Sequence, residues 1–188
     1  MNLPYHGKYE WLPTLYDIVK NFKPKKIVEF GPGRGQTTIT MALALKELGD
    51  GKINSYDLWV DEYWGDKKDC LDEFKNWNVD DLITLEHLDF YDWIKLPISE
   101  RDFDILYFDI DNNGDKLFDL YQNVKQNIDK GSIVLFEGGS LTRDSFGVGG
   151  IGMNTVKDKI KYQVLTDDVK YSFSIIYNEN LYNLKFNE

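Results

Sequence analysis

The chain is poor in cysteine, short of basic charge and free of long apolar runs, and each shortage excludes something. One cysteine, Cys70, leaves no internal disulfide to form, which excludes a disulfide-stapled scaffold. The 22 basic side chains face 32 acidic ones, a formal charge of -10. A surface that negative repels phosphate backbones and anionic lipid heads, so neither nucleic acid nor a membrane is an expected partner. Lys23, Lys25 and Lys26 form an early basic cluster that a solvated turn explains. No stretch approaches the roughly 20 apolar residues of a membrane span. Met1-Asn2-Leu3-Pro4 lacks the basic-then-apolar pattern of a signal peptide, which makes the cytoplasm the expected location. Repeats and low-complexity tracts are absent as well. What is present is 42% hydrophobic and 15% aromatic residues, enough to build a core in 188 residues. That length suits one domain over 1–188, with residues 1–24 as an N-terminal helical and lid segment. The aromatics would fill the core or cover a homodimer face.

Short apolar runs alternate with helical patterns along the chain. Strands are predicted at Lys26–Phe30, Lys52–Leu58, Leu82–Leu88, Phe103–Phe108 and Ser132–Phe136. Helices are predicted at Trp11–Phe22, Thr37–Leu48, Asp66–Asn78 and Asp115–Ile128, with a short one near Asn154–Ile160. Tyr162–Leu165 and Ser172–Tyr177 are close enough to pair as a hairpin. The pattern predicts an α/β fold: a doubly wound, mostly parallel seven-stranded sheet with an antiparallel C-terminal hairpin. Ligands of such sheets sit beyond the carboxyl ends of the strands, so the residues after each strand are the candidates.

After the first strand comes Glu29-Phe30-Gly31-Pro32-Gly33-Arg34-Gly35. Gly31, Gly33 and Gly35 let the backbone turn and let a ligand approach a helix N-terminus. A glycine turn alone suits a dinucleotide or S-adenosylmethionine. The G-x-G-x-G spacing departs from the dinucleotide fingerprint, and a carboxylate at Glu29 would repel a pyrophosphate but attract the ammonium of a methionine moiety. A plain structural turn with Glu29 in solvent is the simpler alternative. Asp57, after the second strand, can accept from ribose hydroxyls under either reading, or cap a helix. Asp89-Phe90, after the third, offers an acceptor for an adenine amino group and a ring to cover the base; an ordinary turn aspartate beside a core ring accounts for the pair as well. Asp109-Ile110-Asp111 and Glu137-Gly138-Gly139-Ser140 follow the fourth and fifth strands, which are neighbours in a doubly wound sheet. Three carboxylates in one region need protons or a cation, and oxygen ligands suit Mg²⁺ better than zinc. Solvated loop carboxylates are the alternative.

These motifs resemble the class I S-adenosylmethionine-dependent methyltransferases over most of the chain, from the first strand to the final hairpin. The resemblance implies the Rossmann-like methyltransferase fold, with Glu29, Gly31, Gly33, Gly35, Asp57 and Asp89 binding S-adenosylmethionine. Asp109-Ile110-Asp111 and Glu137 are similar to the small macrocin-like and catechol-like O-methyltransferases. That similarity implies Asp109 and Glu137 as Mg²⁺ ligands and Asp111 as general base, with Asp109 and Asp111 at the catalytic centre. The family's second strand-five ligand is replaced by Gly138. The implied activity is O-methylation of a small hydroxylated metabolite or sugar. A cofactor-binding protein of the same fold without chemistry, and a nicotinamide-dependent oxidoreductase, are the competing readings. Tyr5-His6-Gly7-Lys8-Tyr9 and the glycine-rich stretch 147–152 are candidate lids. His6 and His87 are expected to be surface or packed histidines, and Cys70 a small core residue.

Overall fold

The apolar runs become strands almost where their patterning places them. The computed structural model describes residues 10–60, 65–145, 152–167 and 172–182. In chain order the elements are α1 (Leu12–Phe22), β1 (Lys26–Phe30), α2 (Gln36–Leu48), β2 (Lys52–Asp57), α3 (Lys67–Asn76), β3 (Ile83–His87), α4 (Phe90–Trp93), β4 (Ile105–Phe108), α5 (Gly114–Asp129), β5 (Ile133–Glu137), α6 (Leu141–Ser145), β6 (Gln163–Asp167) and β7 (Ser172–Ile176). The strands form one seven-stranded sheet in the order β3-β2-β1-β4-β5-β7-β6. It is the mixed α/β sheet expected, parallel with an antiparallel C-terminal pair. Two compact units, Met1–Phe103 and Asp104–Glu188, divide the chain and are described in turn.

In the first unit β1 runs parallel to β2, and β2 to β3. Helix α1 packs on α2 and ends where Lys23 turns left-handed, its N–H reaching the Val19 carbonyl. Helix α2 buries Thr37–Ala42, Ala44 and Leu45, so it is enclosed on more sides than a single apolar stripe would be. Asp66 caps α3 by accepting from the Asp69 amide. On that helix Cys70 and Phe74 are buried while Leu71 is exposed and Trp77, just past its end, half-buried. At the end of β1, Phe30 is packed by Tyr56 at 5.4 Å, Phe90 at 5.9 Å and Trp93 at 5.2 Å, the last two edge-on. Each such pair contributes about 0.5–1.5 kcal/mol beyond burial, which anchors the strand end that feeds the glycine turn.

In the second unit β4 and β5 are parallel and buried at every position, which is why both read as unbroken apolar runs. Strand β7 pairs antiparallel with β5 and with β6, with a register irregularity at Val164/Thr166. Asn113 caps α5 by accepting from the Asp115 and Lys116 amides. The helix expected near Asn154–Ile160 is a single 3₁₀ turn, Met153–Val156, and the sequence pattern does not reveal α6. Of the candidate lids, Tyr5–Tyr9 and residues 147–151 of the 147–152 stretch lie outside the described residues.

Candidate functional site

Strand register and helix placement converge on Glu29. Parallel pairing sets Glu29 beside Ser55, and the short glycine turn returns the chain so that the first turn of α2 lies over β1. Glu29 is completely buried, and its carboxylate accepts from the hydroxyls of Thr37 (2.5 Å), Thr38 (2.6 Å) and Ser55 (2.7 Å). Burial pushes its carboxyl above the ordinary range, an effect that the three hydroxyls and not a cation oppose. The group is shut off from solvent, and it ties β1, β2 and α2 together beneath the turn.

The turn itself is Gly31 to Gly35, with Gly31, Gly33 and Gly35 all at positive φ. Gly35 stands at φ +83° as the N-terminal cap of α2, and a Cβ there would meet Phe74 Cε1 at 2.7 Å. Helix α3 also touches the turn through Cys70, whose thiol donates to the Gly33 carbonyl at 2.9 Å. Burial, reinforced by Glu29 and Asp57, pushes that thiol up to about 12, so Cys70 stays protonated and inert as a nucleophile, the core residue expected. The Gly31 amide donates to the Tyr56 carbonyl at 3.0 Å, which fixes the turn next to Asp57.

Asp57 is half-buried at the tip of β2 and accepts from the Trp59 amide at 2.9 Å. Trp59, at φ +46°, stacks on exposed His87 at 6.2 Å with the Lys67 ammonium 5.7 Å from its ring. Asp89 is half-buried and caps α4, accepting from the Tyr91 amide at 2.6 Å. Phe90, a candidate cover for a base, is instead buried against Phe30. The first unit therefore presents Gly31, Gly33, Asp57 and Asp89, all partly open, at the carboxyl ends of the three parallel strands β1, β2 and β3.

The second unit carries Asp109, Asp111 and Glu137 at the paired tips of β4 and β5. Two of these three carboxylates have a cationic partner from the protein itself. Lys116 holds Asp111 at 2.5 Å. Arg143, from α6, grips Glu137 with Nε at 2.6 Å from Oε1 and Nη2 at 3.3 Å from Oε2, both side chains nearly buried. Burial raises the Glu137 carboxyl and Arg143 opposes the shift. Asp109 is half-buried with the Tyr107 hydroxyl 3.5 Å away. Gly138 stands at φ +108°, and a Cβ there would lie 2.5 Å from Asn112 Oδ1 and 2.9 Å from Met153 Cγ. Among the described residues no three His, Cys, Asp or Glu side chains converge as a metal requires. Glu137, expected together with Asp109 as a metal ligand, has a guanidinium for its partner. Sequence reasoning missed Arg143, Asn112 and the three hydroxyls on Glu29. Ser140, whose Oγ accepts from the Arg143 amide at 3.0 Å, was the capping signal that would have revealed α6.

The methyltransferase-domain family matches residues 28–137, more than half of the chain, from β1 to the last residue of β5. An O-methyltransferase from Bacillus cereus, in complex with S-adenosylhomocysteine, superposes with a TM-score of 0.67 at 16% identity, over 94% of this chain and 85% of that one. TomG from Streptomyces achromogenes, an O-methyltransferase of tomaymycin synthesis in complex with S-adenosylmethionine, gives 0.66 at 14% identity over 89% and 79%. A methyltransferase from Geobacter sulfurreducens gives 0.64 at 15% over 91% and 80%. At these identities the structures speak for the fold. No curated protein matches the chain in sequence. The family match, together with a glycine turn and strand-end carboxylates on a sheet of this order, makes the chain a member of the methyltransferase-domain family.

Proposed function

We propose that this methyltransferase uses S-adenosylmethionine to methylate a hydroxyl of a small acceptor, a sugar or another hydroxylated metabolite. The observation that carries the reading is the Gly31 amide bonded to the Tyr56 carbonyl, which holds the glycine turn beside the Asp57 carboxylate. An open backbone turn next to a strand-tip carboxylate suits a nucleoside with two ribose hydroxyls, and Asp89 is available to an adenine amine. That relatives of the same fold are complexed with S-adenosylmethionine or its demethylated product supports the same choice. When bound, S-adenosylmethionine would supply a sulfonium methyl to an acceptor oxygen, with the thioether as the in-line leaving group. The chain's part is to position the reactants and to take the hydroxyl proton. Asp111, paired with Lys116, and Asp109 are the candidates for that proton acceptor.

Calorimetry with S-adenosylmethionine and S-adenosylhomocysteine tests the cofactor. Wild type is expected to bind both, and Asp57→Ala to bind about 100-fold more weakly, the loss of two hydrogen bonds to a charged group. Absence of binding to wild type, or undiminished binding to the variant, rejects the site. Asp109→Asn is expected to keep cofactor affinity and lower kcat on a hydroxylated acceptor by about 100-fold. Binding without turnover across an acceptor panel would instead mark a cofactor-binding protein.

A further inference from the structure

We infer that the β5 end of this methyltransferase is built around an internal guanidinium, Arg143, where its O-methyltransferase relatives would call for a divalent cation, and that the chain works without a metal. Three independent features of the second unit carry this. The first is how Glu137 is used. Gly138 and Gly139, at φ +108° and +95°, reverse the chain after β5. The Ser140 hydroxyl accepts from the Arg143 amide, and α6 brings the guanidinium back over the strand end. Both carboxylate oxygens then face Arg143 in a bidentate pair whose side chains are 8% and 10% exposed. A divalent ion could reach Glu137 only by displacing this cation or by sitting beside it.

The second feature is the place of the absent ligand. The space a side chain at 138 would use is filled by the Asn112 amide oxygen and by Met153. The turn cannot shift to make room. Its carbonyls accept from Ser174 Oγ at 2.7 Å (Gly138) and from the Tyr162 hydroxyl at 2.8 Å (Gly139). The third is Asp111, whose carboxylate is neutralised by Lys116 at 2.5 Å. Oxygen-rich Mg²⁺ sites need one or two carboxylates that are free to coordinate, and two of the three here already have cationic partners. On the reading that the chain methylates a hydroxyl, it follows that the acceptor needs no pair of neighbouring oxygens to chelate an ion, and that a lone hydroxyl suffices.

The test uses the wild-type chain and the metals themselves. Unfolding midpoints are measured with MgCl₂ or MnCl₂ to about 10 mM against NaCl of equal ionic strength, alongside calorimetric titration. A site of about 1 mM affinity would raise the midpoint by about 3–5 °C at that concentration. The expected result is no shift beyond the salt control and no saturable heat. Saturable binding that Glu137→Gln abolishes would overturn the inference. A second arm reads the guanidinium directly. Arg143→Met is expected to lower the midpoint by about 10 °C, and adding Glu137→Gln to recover most of the loss, because the buried carboxylate no longer stands alone. If the single variant fails to fold, a folded double variant gives the same answer. Arg143→Met as stable as wild type would overturn the inference. S-adenosylmethionine binding is measured separately, so a failed cofactor assignment would leave the metal result standing.

Discussion

Glu29→Ala is expected to lower the unfolding midpoint by about 6–12 °C, corresponding to about 3 kcal/mol at this chain length. The substitution removes the common acceptor of Thr37, Thr38 and Ser55 and leaves three buried hydroxyls to find new partners. The threonines can turn to helix carbonyls, as Thr40 already does toward Gln36, which limits the loss. The same carboxyl carries a pH signature. Burial raises it above its ordinary value of 4.5, so the folded chain holds this proton more tightly than the unfolded one. Its contribution to stability is full below 4.5 and declines as pH climbs through the raised folded value. Glu29→Gln has no proton to lose. The stability of wild type relative to Glu29→Gln should therefore fall with rising pH above about 4.5, as read by denaturant unfolding across a pH series. A flat difference would show that the three hydroxyls fully compensate the charge. Because Glu29 braces the turn from beneath, Glu29→Ala should also weaken S-adenosylmethionine by about tenfold.

Gly138→Asp places a carboxylate where the resemblance to catechol-like O-methyltransferases implies a second strand-five ligand, and it is expected to harm the protein. At φ +108° an L side chain is strained, at about 1–3 kcal/mol. Its Cβ would lie 2.5 Å from Asn112 Oδ1 and 2.9 Å from Met153 Cγ, which adds about 1–3 kcal/mol of overpacking. The midpoint should drop by about 10 °C. It should not rise again on adding Mg²⁺, because Glu137 remains on Arg143. Recovery of stability with Mg²⁺ would mean that the site needs only the missing ligand, and that Arg143 yields to a metal.

Much of this was legible before any coordinates. Strand positions came from apolar runs bounded by glycine and asparagine or aspartate, and β1 spans the residues expected, Lys26–Phe30. Buried parallel strands carry their pattern in composition alone, so β4 and β5 were visible in the runs Phe103–Phe108 and Ser132–Phe136, close to their observed bounds. The positions Glu29, Asp57, Asp89, Asp109 and Glu137 followed from the rule that sites collect at strand ends. Short helices held by a turn and a cap, such as α4 and α6, leave too little periodicity to read.

What the sequence determined by itself is the order of elements, the family and the addresses of its carboxylates, because these depend on local pattern and on spacing along the chain. What each carboxylate does was decided by tertiary structure. Glu29 and Glu137 look alike in one dimension, as acids at or near the end of an apolar strand. Register and a helix N-terminus surround the first with three hydroxyls, while a double-glycine reversal brings a guanidinium onto the second. The partner of a buried charge comes from whichever segment folds over it, and that follows from packing and chain reversal, not from the residue or its neighbours in sequence.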